Sequence, residues 1–448
     1  MPLASHGPEA TGGSGTDGSG TAAGATGTGG TGVAVPAPPA ADALSFAAPY
    51  DPALLHRRNP DEVFLTDVRA LGDRTPPEEP DNEEPDNEGP DNAGQYADAG
   101  RYERFAAAAL LPSGHPHYGG LTGPAGNRPD PMLLLECCRQ AETYAAHALF
   151  GVEQGVGFIL RGLSVRTFPD AHGGQGPAAD APSATASTAL SERGVGAGPA
   201  SRLVMACQVR EPGQRRGAVS SLDYTFDVWA GAGRIARIVL RVGYAAPRVY
   251  AALRARRRGG PPPTSRTAPP PVAGTPVEPS LAGRLRATDC VLLDLATGPA
   301  AEVTAALRVP VENVSYFDHP HDHVPGMVLV EAARQLATAA VGVWDAAPGR
   351  PAGMTAVEAE FSQYAELDAP TVLSAVPHDD HGAPSRSRGI EVVLRQGTTR
   401  VARMRVTTVT TVAVEGTGGE SAVRTGVPSA VCPSPAATGH AASSEVAR

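Results

Sequence analysis

The chain has 448 residues, 52 Gly, 44 Pro and a formal charge of −10, so length allows two or three domains while a large part builds no core. All 37 basic residues are Arg, which excludes a Schiff-base lysine, a pyridoxal phosphate linkage and a P-loop lysine. The acidic balance with few clustered aromatics argues against nucleic acid, and no signal peptide or bilayer-length apolar run stands out, so a cytoplasmic protein without a membrane partner is expected.

Residues 1–44 are rich in Gly, Ala, Thr, Ser and Pro and are expected to be disordered. A first domain is placed at 45–254. Its first strands are predicted at 62–68 and 102–111. Between them the run 75–100 carries Pro-Asp-Asn repeats and reads as a solvated loop; it lacks the pattern of a calcium-binding EF-hand. His115-Pro116-His117 follow, then a helix over 131–150 and a strand over 157–168. Residues 169–200 form a second low-complexity insert. Strands return at 202–210, 222–230 and 234–244, the last alternating apolar residues with Arg. Residues 255–279 read as a Pro/Arg-rich linker. At its start, Arg254 with Arg256-Arg257-Arg258 suits an acidic carrier-protein surface or a merely solvated helix end. The second domain is placed at 280–414. Its strands are predicted at 290–294, 301–309, 356–367, 371–376, 390–396 and 399–414, with a loop over 319–326 and a helix over 327–344. Residues 415–448 form a disordered tail.

Both domains carry one repeated unit. His319-Pro320-His321 precedes Met327, three apolar residues, Glu331, two Ala, Arg334 and Gln335. His115-Pro116-His117 precedes Met132, three Leu, Glu136, two Cys, Arg139 and Gln140. The acids are 195 residues apart and the histidines 204, so nine extra residues separate loop and helix in the first copy. A repeat of this length means two similar half-domains. Within each helix the Glu, Arg and Gln share one face at i, i+3 and i+4. Burying a carboxylate and a guanidinium is costly unless they pair or bind something, so an internal ion pair and a ligand site both fit. His319, His321 and His323 alternate, but Pro320 and Pro325 favour a kinked loop over a strand bearing a metal. A general base and a loop hydrogen-bonding role are both open for them. The cysteines at 137, 138, 207, 290 and 432 show no metal spacing and no secreted framework, and Cys137 and Cys138 read as small core residues.

The Pro-Gly step before Glu-Ala-x-x-Gln resembles β-hydroxyacyl carrier-protein dehydratases of the hotdog fold, in which an antiparallel sheet wraps a long helix. The loop from His319 to Pro325 is shorter than in that pattern, and Arg334 replaces a small residue. The chain resembles the A-factor biosynthesis (AfsA-type) family of γ-butyrolactone synthases more fully. The resemblance runs through His56-Arg57-Arg58, Glu62 to Asp67, Asp130 to Gln140, Pro247 to Tyr250 with Leu253-Arg254, Phe317 to Gln335, and Phe361 to Pro370. It implies an α+β protein of two tandem hotdogs packed sheet to sheet as a double hotdog. It implies an acyltransferase that joins a β-ketoacyl-acyl carrier protein thioester to dihydroxyacetone phosphate, with no cofactor and no metal. On this reading Glu331 or a loop histidine, His319 or His323, is the base. Backbone amides at Gly326 or Met327 hold the oxyanion, and Arg334, with Gln335 beside it, grips the phosphate. Glu136 and Arg139 form the corresponding site of the first half. The tighter second copy is the one expected to be active. A carrier-protein dehydratase or thioesterase, and a non-catalytic acyl- or butyrolactone-binding protein, are the alternatives.

Overall fold

The computed structural model describes residues 43–71, 102–119, 129–168, 202–215, 218–267, 273–346, 352–378 and 387–410. Apart from a few flanking residues, the predicted tails, the acidic loop, the insert at 169–200 and the nine extra residues of the first copy lie outside them.

The first half contributes β1 (Leu65–Leu71), β2 (Tyr102–Leu110), α1 (Pro131–Ala148), β3 (Gly157–Thr167), β4 (Arg202–Arg215), β5 (Ala218–Ala230) and β6 (Gly233–Ala245). A helix, α2 (Pro247–Arg258), leads to the second half. There follow β7 (Leu292–Thr297), β8 (Val303–Leu307), the short α3 (Val314–Phe317), α4 (Gly326–Trp344), β9 (Ala352–Phe361), β10 (Thr371–His378), β11 (Ser387–Gln396) and β12 (Thr399–Thr410).

The twelve strands form one sheet in the order β1-β2-β4-β5-β6-β3-β9-β12-β11-β10-β8-β7. Read from either edge the order is the same pattern, so the halves are related by a pseudo-twofold at the β3–β9 seam. Each half is a hotdog: its helix enters after the second strand and the antiparallel sheet curls around it. The expected sheet-to-sheet packing is replaced by an edge-to-edge join. Gly162 pairs with Glu360 and Ser164 with Glu358. That pairing satisfies backbone groups that two separate hotdogs would leave on open edges.

Both helices form where the apolar periodicity predicts, but they begin differently. α1 starts at Asp130, whose Oδ1 accepts from the Met132 amide at 2.9 Å, with Pro131 in the first turn. That is a strong start signal. α4 starts after Pro325, which has no side chain to cap the first turn. Val328, Leu329, Leu336 and Val341 of α4 are at most 2% exposed, each stabilising the fold by about 1.5–3 kcal/mol. By length and composition α4 could cross a bilayer, but 83% of that stretch is buried in the fold, so it is a core helix. On the strands that cover it, Val303, Ala305 and Leu307 alternate inward along β8, and Ile390, Val392 and Leu394 along β11, as the period of two requires.

The structure departs from the sequence reading at α2. The helix runs on through Arg258 into the segment read as a linker. Arg254 is buried, bonding Glu366 through Nη1 and Nη2 and Asp322 through Nε, while Arg258 pairs with Glu366 and Asp368. Two of the four clustered arginines therefore fasten α2 to the second half. Cys137, Cys138, Cys207 and Cys290 are free and buried. Burial pushes all four thiols up, which leaves them protonated and unreactive.

Candidate active site

Each half buries one carboxylate clasped by two arginines and a glutamine. Glu136 and Glu331 are both 0% exposed. Arg139 bonds Glu136 through Nε and Nη2, each at 2.8 Å, and Arg57 reaches the same carboxylate at 2.5 Å. Gln140 donates to Glu136 at 2.9 Å and to the Glu62 carbonyl at 2.7 Å, and its oxygen accepts from the Phe64 amide. The second half repeats this. Arg334 and Arg284 hold Glu331 at 2.9 Å through their Nε atoms, and Gln335 ties Glu331 to the Asp289 carbonyl and the Val291 amide. Burial opposes charge on both acids. The paired arginines prevail and hold each carboxyl down at about 2. A carboxylate so acidic, with all its neighbours donating, is a poor base; it anchors the guanidinium beside it.

The loops cross between halves. Arg284 of the second half donates to the His117 carbonyl at 2.9 Å, and His117 meets Tyr316 Oη at 2.8 Å and Asp289 at 3.3 Å. In exchange, Arg57 of the first half donates to the Ser315 carbonyl at 3.1 Å, and the Arg58 amide donates to Asp318 at 2.8 Å. The second His-Pro-His loop is thereby tied to the first-half clasp, and the first loop to the second-half clasp.

The two clasps differ in what faces their helix arginine. Arg334 is 6% exposed, and its Nη1 lies 3.7 Å from Asp130, the cap of α1. The pseudo-twofold equivalent of Asp130 is Pro325, which carries no charge. Arg139 accordingly keeps a side chain 26% exposed, and its bonds to described side chains all go to Glu136. Among the described residues its Nη1 has no hydrogen-bond partner. The first turn of α4 has no side-chain cap. Gly326 abuts Leu160 of β3, so closely that a Cβ there would lie 3.1 Å from Leu160 Cδ2. Two residues away on the same strand, Phe158 packs on His56 and His147 at ring distances of 4.8 and 5.4 Å. Gly326 thus opens α4 against the strand that also carries Phe158.

Histidines surround this region. Asp318 Oδ1 meets His319 Nδ1 at 2.5 Å, and Asp322 Oδ1 meets His323 Nδ1 at 2.6 Å. A carboxylate on Nδ1 holds the proton there and leaves Nε2 as a lone pair. The Asp318 carboxyl lies at about 2, with burial opposed by the bonds from His319 and the Arg58 amide. Burial and then its neighbours His319 and His323 lower His321 to about 3, so it is neutral at physiological pH. Asp318, His319 and His321 bring donor atoms within 4.8 Å of one another, but the Arg57 guanidinium 3.9 Å from Asp318 disfavours a cation there.

A family model described as the A-factor biosynthesis hotdog domain matches residues 40–176 and 265–412, which covers both clasps and both loops. The chain belongs to the A-factor biosynthesis (AfsA-type) hotdog family. It is 33% identical over 276 residues to a 2-oxo-3-(phosphooxy)propyl 3-oxoalkanoate synthase of Streptomyces virginiae, covering 61% of this chain and 79% of that one. It is 32% identical over 277 residues to a synthase of the same name from Streptomyces griseus, covering 61% and 77%. Among solved structures it is similar to the 12:0-ACP thioesterase of Umbellularia californica (10% identity, TM-score 0.37, 69% of this chain and 94% of that one). It is also similar to the dehydratase domain of RzxB from Pseudomonas fluorescens (13% identity, TM-score 0.35, 68% and 94%).

In this AfsA-type enzyme the residues singled out from sequence are distributed unexpectedly. Glu331, Arg334 and Gln335 meet one another, and Arg284 links Glu331 to His117, while His319 and His323 lie on the loop tied to the first-half clasp through Arg57. Gly326 and Met327, at the start of the second-repeat helix, lie beside β3 of the first half. Sequence reasoning passed over His56, Arg57, Arg284 and Asp318 as site residues. A signal existed: Arg57 and Glu62 share the spacing of Arg284 and Asp289, and Asp318 precedes the second His-Pro-His where Gly114 precedes the first.

His56 sits at φ 54°, a left-handed conformation that costs a non-glycine residue about 1–3 kcal/mol. His147 Nδ1 bonds the Val152 carbonyl at 2.7 Å, so that nitrogen carries the proton; in the neutral ring Nε2 accepts from His56 Nε2 at 2.9 Å. His56 Nδ1 is left with a bare lone pair. Burial first, then His147, Arg139 and His319, lower His56 to about 4.

Burial raises Glu142 of α1 to about 7 despite Arg139 and the Tyr244 hydroxyl. These two groups give opposite pH dependences. A lowered histidine stabilises fully above its unfolded value near 6.5 and loses that contribution as pH falls through about 4. A raised carboxyl stabilises fully below its unfolded value near 4.5 and loses that contribution as pH rises through about 7. Glu142→Gln is therefore expected to gain stability relative to wild type as pH rises from 5 to 8, and His56→Asn as pH falls from 6.5 to 4. Denaturant titrations across that range test both; parallel stability curves would refute them.

Proposed function

We propose that the chain condenses a β-ketoacyl-acyl carrier protein thioester with dihydroxyacetone phosphate, at a composite site of the α1 clasp and the second-half histidine loop. The product named for its relatives is an ester of a 3-oxo acid with a phosphorylated three-carbon ketone. Such chemistry needs an anion site, a base for a primary hydroxyl and donors for a carbonyl oxygen. The observation that carries the reading is the contrast between Arg139, with free donors, and Arg334, neutralised by Glu331 and Asp130.

Arg139, held planar by Glu136, takes the phosphate. His319 Nε2, with its tautomer set by Asp318, accepts the hydroxyl proton as the oxygen attacks the thioester carbon. The Gly326 and Met327 amides hold the oxyanion. The tetrahedral adduct collapses: the new C–O bond stays, the C–S bond breaks, and the proton passes from His319 to the leaving thiolate. His56 and His321, both neutral, line the site without adding charge that would compete with Arg139 for the phosphate.

The test is mass spectrometry of products formed from 3-oxooctanoyl-carrier protein and dihydroxyacetone phosphate. The phosphorylated 3-oxoacyl ester, or its cyclised butenolide, is expected. Free 3-oxo acid alone, formed equally without the phosphate, would identify a thioesterase instead.

A further inference from the structure

α2 is built with its polar side inward. Tyr250, Arg254 and Arg258, one turn apart, bond Asp322, Glu366 and Asp368, and Arg254 is only 1% exposed. The outward face carries Val249 and Leu253, 47% and 40% exposed. Arg256 continues that line at i+7 from Val249, and Arg248 and Arg257 flank it, all exposed. The ion pairs of this helix with described residues engage Arg254 and Arg258 and leave those three arginines out. A surface helix ordinarily turns its apolar residues to the core. Here they face outward within a cationic rim, on a chain whose formal charge is −10.

The position of the face matters as much as its composition. Tyr250 Oη donates to Asp322 at 2.9 Å and Arg254 Nη2 donates to the Asp322 carbonyl at 2.7 Å. Asp322 in turn holds His323, and the Tyr250 ring lies against Gly157, next to Phe158 of the site wall. A molecule seated on the outer face of α2 therefore stands beside the histidine loop.

We propose that the outer face of α2, Val249, Leu253, Arg248, Arg256 and Arg257, is the docking surface for the acidic acyl carrier protein that delivers the thioester. The proposal rests on the acyl-transfer reading above. A carrier protein presents its thioester on a flexible arm and must settle within reach of the site. Its acidic helix surface complements a basic rim, and Val249 with Leu253 supplies the small apolar centre such an interface uses. An anionic membrane would also attract arginines, but two mid-sized apolar residues on a twelve-residue helix offer little to insert.

The experiment compares wild type with Arg256→Glu/Arg257→Glu and with Leu253→Ser. Binding of 3-oxooctanoyl-carrier protein is measured directly. Turnover is measured with that substrate and with the 3-oxooctanoyl thioester of N-acetylcysteamine, which has no protein to dock. The charge reversal is expected to weaken carrier-protein binding and raise its KM by about tenfold or more, with reduced salt sensitivity. The small thioester should react at the wild-type rate, which also shows that the variants are folded. Unchanged carrier binding, or an equal loss with both thioesters, overturns the proposal. So does a loss confined to anionic phosphatidylglycerol vesicles. If wild type turns over neither thioester while the reversal still abolishes carrier binding, the docking surface stands and the acyl-transfer reading falls.

Discussion

Arg139→Ala is expected to leave the fold standing and to raise the KM for dihydroxyacetone phosphate by about 100-fold or more, while Arg334→Ala is expected to damage the fold itself. The two arginines occupy the same position of the repeat, so only their surroundings separate them. Arg139 lies partly exposed, and Glu136 keeps Arg57 and Gln140 when it is removed. What disappears is a set of charge-assisted bonds to a phosphate, each worth about 1.5–3 kcal/mol. Arg334 lies between Glu331 and Asp130; without it Glu331 keeps Arg284, but the buried Asp130 loses the cation beside it. Breaking a buried pair from one side costs about 3–5 kcal/mol. Denaturant unfolding and substrate kinetics on both variants decide the matter. An Arg334→Ala protein as stable as wild type, with its phosphate affinity lost, would return the substrate site to the second repeat. An Arg139→Ala protein with normal phosphate kinetics would remove the site proposed here.

His319→Ala is expected to lower kcat by about 10²–10⁴-fold, the usual contribution of a positioned general base, with little change in the KM for the phosphate substrate. Asp318→Asn should also lower kcat, because an amide can donate to Nδ1 and place the proton on Nε2, the wrong nitrogen. Glu136→Gln separates base from anchor. The glutamine keeps the shape of the carboxylate and loses its charge, so Arg139 should drift and phosphate KM should rise. Were Glu136 the base, Glu136→Gln would abolish kcat at unchanged KM and His319→Ala would remain active. Steady-state kinetics with both substrates varied, on variants whose melting has been checked, distinguish these patterns.

Much of this protein could be read without coordinates. The two helices came from an apolar repeat at helical period, and the strands from alternation and β-branched runs such as Val406 to Thr410. The Glu-Arg-Gln trio on one face follows from 3.6 residues per turn and holds wherever the helix is placed. α2 was harder to read: its apolar residues face outward and its inward face is Tyr and Arg, the reverse of the pattern that marks a buried helix.

Legible in the residues were a unit carried twice, an acid with an arginine one turn on along an apolar helix in each copy, and a second loop rich in histidine; that the unit is a hotdog came from the family resemblance. These are local properties, set by neighbours within a few positions. Which loop serves which helix is set by contacts far apart in the chain. Arg57 meets Glu136 across 79 residues, Arg284 meets Glu331 across 47, and Arg57 reaches Ser315 across 258. No spacing rule acts over such distances. The join of β3 to β9 sets the pseudo-twofold, and the twofold brings each loop to the opposite clasp. It also sets Asp130 against Arg334, where the other copy has Pro325 at the position equivalent to Asp130. One substitution across a symmetric interface thereby separates the two arginines: the buried Arg334 has a second carboxylate within ion-pair distance to balance its charge, and the partly exposed Arg139 has Glu136 alone on its own helix.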